Sequence, residues 1–301
     1  MISETVHAAH GAVYDWNAAL HFLSHRAVAG VEQVDERIYL RTIRCEESVA
    51  TMSVTPAARG TGLVVTVDLP RAMTAAVLGR VRQMFDLDAD LRTINAHLSR
   101  DPWMAPLVSA RPALRVFGGW DGFEIAARTI FGQQVSVERA RQLNGVLAGR
   151  CGSRLAGSGG ELAVLFPTPQ QVLAADLSAM GMPGARVITL KTMAAAAIGN
   201  PTLFEKGTSI EATVAALRKV KGVGDWTAHY IAMRACREPD AFPAGDVGLL
   251  RGAADATGRR PTPAELLTRA EPWRPWRAYA AHHLWAADPA FSVRSPPHAV
   301  T

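Results

Sequence analysis

Cysteine is scarce in this sequence: three in 301 residues, Cys45, Cys151 and Cys236, far apart and with no CxxC pair. That excludes a disulfide framework, a cysteine-rich zinc domain and a four-cysteine iron–sulfur cluster. No run approaches the roughly 18 consecutive apolar residues of a membrane span, and the alanine-rich stretch at 193–199 is far too short. Residues 1–10 carry an acid, Glu4, and no basic-then-apolar pattern, so no export signal is expected, and a cytoplasmic protein with no membrane partner is. Excess charge is modest: 32 Lys and Arg against 27 Asp and Glu leave +5, which suits a polyanionic partner without naming one. There is no internal repeat of the length that solenoids use.

What is present is an ordinary globular composition, 49% apolar and 20% charged. At about 150 residues per domain the chain makes about two units. Residues 15–28 place Trp16, Leu20, Leu23 and Ala27 three to four apart, an amphipathic helix. Three β-rich runs follow at 37–45, 48–55 and 62–69, the last two separated by the turn signal Pro56, Ala57, Ala58, Arg59, Gly60, which predicts an antiparallel meander. Helical patterns at 73–85 and 89–98 complete a small α+β unit over 1–100. A connecting segment, 101–121, is expected to pack with the C-terminal helices. From 122 the β signal fades and helices are predicted at 122–148, 168–177, 185–198, 210–220 and 225–236. The overall class is therefore α+β, with a helical domain at 122–238, a C-terminal helical part at 239–292 and a frayed tail at 293–301. The Gly- and Ser-rich 152–160 reads as an exposed loop.

The chemistry concentrates in Leu217 to Tyr230 and in Asp240 to Asp246. Helix, then Lys221, Gly222, Val223, Gly224 and Asp225, then helix describes two helices joined by a tight hairpin over about 210–236. Here Gly222 and Gly224 allow backbone angles closed to other residues. Successive N–H groups at the start of the second helix, with its dipole, form a site for a phosphate, flanked by Lys219 and Lys221. Such contacts hold any DNA backbone without reading bases. Trp226, Tyr230 and Met233 recur at i, i+4 and i+7 and share one face. Met233 reads as core, whereas Trp226 and Tyr230 read either as core or as a wall on which a base stacks. Asp246, after Pro243, Ala244 and Gly245, is placed as a helix N-cap; a carboxylate held there also suits stabilisation of a sugar cation or activation of a water.

The hairpin, the aromatic after it and the acid 20 residues beyond Trp226 resemble the helix-hairpin-helix DNA glycosylase superfamily, and within it the bacterial 3-methyladenine DNA glycosylase II family. The likeness extends from Tyr14, Asp15, Trp16 and Phe22, Leu23 through the run Phe131 to Val137 to Trp273, Arg274, Pro275, Trp276, Arg277. The resemblance implies that Asp246 is the catalytic aspartate and that Trp226, Tyr230, Trp285 and Phe22, with Gln133, line the base pocket. It implies Gln134 as the residue that fills the gap left by a flipped nucleotide. The hairpin amides fall around Gly222 and Gly224, and a structural monovalent cation on the carbonyls of Arg218, Val220 and Val223. No metal or organic cofactor is required by the chemistry, and a monomer acting on damaged double-stranded DNA is expected.

Superfamily members that also cut the backbone use a lysine nucleophile where this chain has Trp226, and an indole forms no Schiff base. That leads to a monofunctional enzyme that leaves an abasic site. A non-catalytic hairpin scaffold and a bifunctional glycosylase/lyase are the alternatives. The chain departs from better-known relatives at Val247 and Ala286, where tyrosine is frequent, and at Gln134, where an apolar wedge is common. Those positions leave open whether 3-methyladenine, 7-methylguanine, hypoxanthine or 1-methyladenine is preferred.

Overall fold

The structure is a computed structural model that describes residues 2–155 and 160–289. The expected frayed tail at 293–301 lies outside these residues, as does the middle of the 152–160 loop. Within that loop Arg154 forms an isolated antiparallel bridge with Val164, beyond the loop.

The N-terminal unit is one antiparallel sheet in the order β1-β5-β4-β3-β2. Its strands are β1 (Ile2–His7), β2 (Glu32–Val34), β3 (Tyr39–Cys45), β4 (Ser48–Pro56) and β5 (Gly62–Val67). The predicted meander is β3-β4-β5, with Tyr39 opposite Val54 and Met52 opposite Val67. Along β4 and β5 the inward positions are Ala50, Met52, Val54, Leu63, Val65 and Val67, the period-2 burial that sequence alternation requires. Two edge strands are additional to the sequence reading. In β1 only Val6 is buried, so apolar alternation is missing, and β2 is three residues long with a buried glutamate.

On this sheet pack α1 (Trp16–Ser24) and α2 (Thr74–Met84), with Leu20, Leu23, Val77 and Val81 in a core shared with Phe85 and Leu87. Asp15 caps α1 by accepting from Ala18 N at 2.9 Å. The helix ends at Ser24 rather than at 28. Beyond it the backbone turns, because Val28 N donates to the buried Glu32 carboxylate and Glu32 N returns to Val28 O.

The helical body comprises α3 (Leu91–Leu98), α4 (Met104–Ala110), α5 (Gly122–Gly132), α6 (Val137–Cys151), α7 (Pro169–Ala174), α8 (Gly184–Gly199), α9 (Ile210–Arg218), α10 (Asp225–Arg234), α11 (Val247–Gly252), α12 (Pro263–Arg269) and α13 (Arg277–Ala287). Its core takes in Leu91, Ile94 and Leu98, whereas Phe117 and Trp120 pack back into the sheet unit. The chain therefore leaves the first core near residue 88 rather than 100, touches it again at 117–120, and lends α3 and α4 to the second.

The single helix expected over 122–148 is two. Gln134 adopts φ +56, and Ser136 caps α6 by accepting from Arg139 N at 3.1 Å, so the run Gln133 to Ser136 is a projecting turn.

Sheet and helices are joined by a buried ion network. Arg41 donates to Glu124 at 2.7 Å, and Arg128 donates to both Glu32 and Glu124 at 2.9 Å. Burial alone would push the Glu32 carboxyl up, but Arg128 and Arg41 outweigh it and hold the group below its ordinary value. With all four charges paired, this junction fixes α5, and so the projecting turn at its end, against the sheet. Among the described residues no helix is long and apolar enough to cross a membrane.

Candidate active site

Helices α9 and α10 are joined by a tight hairpin whose turn is closed by Val223 N donating to Val220 O at 3.0 Å. The two glycines differ, contrary to the sequence reading that gave both the same role. Gly222 has φ +88, and a Cβ there would sit 1.9 Å from Thr189 Oγ1 on α8, so it is required by both conformation and space. Gly224 has φ −84 and ψ 179, extended backbone that any residue adopts, with open space where a Cβ would go. It caps α10 without a side chain, which leaves the first N–H groups of that helix facing outward with no side-chain acceptor. Lys219 and Lys221 are exposed beside this opening. The tip is therefore a rigid set of donors with positive charge around it.

On α10, Met233 is fully buried in the helical core, whereas Trp226 and Tyr230 are half-buried. Their rings stack at 5.5 Å and 28°, and Trp285 from α13 meets Tyr230 edge-on at 6.0 Å. The resemblance placed these three aromatics in one pocket, and the fold brings their rings together. Trp226 and Tyr230 are already in contact, so a flat ring stacks against the pair rather than between its members.

Asp246 stands at the centre of this wall. The loop before it is clamped from below: Asp240 accepts from Arg277 at 2.8 and 2.9 Å and from Arg274 at 2.8 Å. In the same place Ala278 N donates to Pro239 O at 2.9 Å. The run Trp273 to Arg277 is therefore a brace for the loop. Asp246 caps α11, its Oδ1 accepting from Gly248 N at 2.8 Å and Leu249 N at 3.0 Å. Two indoles complete its shell: Trp285 Nε1 donates to Oδ1 and Trp226 Nε1 to Oδ2, both at 2.8 Å. Gly248 permits this, since a Cβ there would lie 3.0 Å from both Asp246 Oδ1 and Trp285 Cδ1.

The other residues that the resemblance singled out have the following surroundings. Phe22 packs on Phe117 at 4.9 Å and against the sheet core, with Arg26 over its ring at 4.1 Å and Arg234 at 4.5 Å. Arg234 also lies 5.6 Å from the Tyr230 ring, so a guanidinium stands between Phe22 and the aromatic wall. Gln133, assigned to the base pocket by resemblance, donates from Nε2 to Gly222 O at 3.2 Å and to Thr227 Oγ1 at 3.0 Å. These two bonds tie the projecting turn to the hairpin. Gln134 is exposed on that turn. Val247, next to Asp246, is 57% exposed, and Ala286 is half-buried.

Three charged or titratable groups near the wall escaped the sequence reading. Arg234 donates to Tyr230 Oη at 3.0 Å and to the carbonyls of Phe117 and Gly118. Burial raises the Tyr230 phenol, but Arg234 and Arg26 outweigh it and leave the group below its ordinary value. His282 meets Trp285 at 4.9 Å, and burial pushes its imidazole down to about 3, so it is neutral. The signal for Arg234 was its i+4 spacing from Tyr230, on the face already assigned to the aromatics.

Residues 6–121 match the family model described as AlkA N-terminal domain. The chain is 34% identical over 279 residues to DNA-3-methyladenine glycosylase 2 of Escherichia coli, covering 91% of this chain and 94% of that protein. It is also 34% identical over 263 residues to the probable bifunctional transcriptional activator/DNA repair enzyme AlkA of Mycobacterium tuberculosis, where it spans 87% of this chain and about half, 53%, of the relative. In fold it is similar to a 3-methyladenine DNA glycosylase from Archaeoglobus fulgidus, with a TM-score of 0.83 at 20% identity, over 96% of this chain and 99% of that one. A Clostridium acetobutylicum 8-oxoguanine glycosylase/lyase in complex with double-stranded DNA has a TM-score of 0.66 at 19% identity, over 85% and 86%.

Proposed function

The chain belongs to the bacterial DNA-3-methyladenine glycosylase II family, and from that premise we propose that it removes alkylated bases such as 3-methyladenine from double-stranded DNA by hydrolysing the N-glycosidic bond. The observation that carries this reading is the Asp246 carboxylate, fixed by backbone and indole donors inside an aromatic wall and adjoining a hairpin with outward N–H groups.

In the proposed cycle the hairpin grips a phosphate through the first amides of α10, aided by Lys219 and Lys221, in a salt-dependent and sequence-independent way. Gln134, on its projecting turn, occupies the gap left when the damaged nucleotide is extruded. The base stacks on Trp226, Tyr230 and Trp285, worth about 1–3 kcal/mol per base. An N3-alkylated adenine is cationic and a good leaving group. As its bond to C1′ breaks, the negative charge of Asp246 faces the positive sugar, and water completes the substitution. With Trp226 in the lysine position no Schiff base forms, so the product is an abasic site and free base.

The carbonyls of Arg218, Val220 and Val223 would hold a monovalent cation at the hairpin, where its charge adds to the attraction for phosphate. That of Val220 keeps one lone pair after accepting from Val223 N. Monomeric action beside the chromosome belongs to the same proposal. Asp246→Asn tests it: base release from a methylated duplex is expected to fall by about a thousandfold while duplex binding persists. Release at the wild-type rate contradicts the assignment.

A further inference from the structure

The four donors on Asp246 are unevenly shared. Oδ1 accepts from Gly248 N, Leu249 N and Trp285 Nε1, at 2.8, 3.0 and 2.8 Å, whereas among the described residues Oδ2 accepts only from Trp226 Nε1, at 2.8 Å. A carboxylate oxygen offers about two lone-pair directions, so three donors use up Oδ1, while Oδ2 keeps an open direction. We propose that Trp226 and Trp285 are positioning residues that set the plane of the Asp246 carboxylate through their indole N–H groups, presenting Oδ2 to the sugar or the attacking water. This role is additional to stacking and rests on the reading of Asp246 as the catalytic carboxylate.

The geometry gives each indole a distinct task. The α11 amides and Trp285 hold Oδ1, which limits how far the carboxylate can turn about the Cβ–Cγ bond. Trp226 anchors the other oxygen, so the carboxylate is held at both ends and its plane is fixed more narrowly than Oδ1 alone would fix it. Both indoles are themselves held, Trp226 by its stack on Tyr230 and Trp285 by its edge contacts with Tyr230 and His282. His282 is neutral and brings no charge to compete for the carboxylate. A fixed dipole or charge needs no reorganisation when the sugar cation develops, which is where electrostatic catalysis gains most. The same residues therefore link lesion binding to chemistry: a base that displaces the Trp226 ring also disturbs the carboxylate.

Trp→Phe substitution keeps a stacking face and removes the donor. Single-turnover base release is to be measured for Trp226→Phe and Trp285→Phe on two duplexes, one with cationic 7-methylguanine and one with neutral hypoxanthine, together with lesion-duplex affinity and thermal midpoint. Loss of one charge-assisted hydrogen bond predicts release about tenfold to a hundredfold slower for Trp226→Phe. Trp285→Phe is expected to lose less, because two amides still hold Oδ1. Hypoxanthine, the poorer leaving group, leans more on the carboxylate and should show the larger loss, with affinity within about threefold of wild type. The proposal is overturned if Trp226→Phe releases base at the wild-type rate, if both duplexes slow equally, or if affinity falls while the release rate stays unchanged. Thermal midpoints identify a variant that fails to fold, in which case the other tryptophan carries the test. Asp246→Asn runs alongside: if it releases base normally, the assignment of the catalytic carboxylate fails, and not only the role of the indoles.

Discussion

Gly222 and Gly224 stand two residues apart in the hairpin and should respond oppositely to alanine. At Gly222 the backbone sits at φ +88, where an L-residue costs about 1–2 kcal/mol, and the new Cβ would be 1.9 Å from Thr189 Oγ1. Relieving that overlap moves α8 or the hairpin, at a further cost of about 1–3 kcal/mol. The sum is about 3 kcal/mol. An unfolding entropy of about 2.1 cal/mol/K per residue over 301 residues gives about 0.63 kcal/mol/K, so Gly222→Ala should lower the thermal midpoint by about 5 °C. Adding Thr189→Ala removes the oxygen but not the Cβ, 2.9 Å away, so recovery should be partial. Gly224→Ala meets nothing in an allowed conformation, and its midpoint should stay within about 1 °C or rise slightly. Its methyl group nevertheless enters the opening in front of the α10 amides, so nonspecific duplex affinity should drop. Thermal scans and fluorescence anisotropy at two salt concentrations read both effects. A Gly222→Ala protein as stable as wild type would refute the packing argument; undiminished DNA affinity in Gly224→Ala would refute the phosphate site.

Other expectations come from the brace, the buried histidines and the wall. Asp240→Asn leaves Arg277 and Arg274 without a full counter-charge, and should destabilise by about 3–5 kcal/mol and slow base release while sparing hairpin-mediated DNA affinity; normal release would separate the brace from the site. Burial pushes His282 down to about 3 and His283 to about 4, so the unfolded chain takes up these protons first, near pH 6.5. Their stabilising contribution is full above that pH and is lost as pH falls toward 4 and then 3. Between pH 7 and 5 the loss amounts to about 2 kcal/mol for each, and a His282→Gln, His283→Gln protein should show a flatter dependence in denaturant melts. Trp226→Ala should weaken excision of a damaged base without changing affinity for undamaged duplex, and equal loss of both would remove its role in the wall.

Much of this molecule was legible from local pattern. The meander followed from three β-rich runs and the turn signal at 56–60, and α10 from its helical pattern. Asp246 was placed at its helix start by Pro243, Gly245 and the apolar run beyond. What was not legible depends on distant partners. Strand β1 has one inward residue and exists because β5 offers it an edge. The division of the 122–148 helix was written in Gly132 and Ser136, but continuing apolar residues on both sides hid it. Gln133 was assigned to the pocket by resemblance, and its bond to Gly222 O, 89 positions away, is a long-range contact that no local pattern shows. The guanidinium of Arg234 reaches between Phe22 and Tyr230 only because two cores meet there, and no window along one helix reveals that.

The central claim is that the protein hydrolyses the bond between an alkylated base and its sugar and stops there. The direct measurement incubates the wild-type protein with a methylated duplex, quantifies free 3-methyladenine by chromatography, and probes the DNA with alkali and with borohydride. The expected result is release of the methylated base, strand breakage only after alkali, and no covalent protein–DNA adduct. Absence of free base from a duplex that the protein binds would contradict it, and a borohydride-trapped adduct would contradict its hydrolytic mechanism.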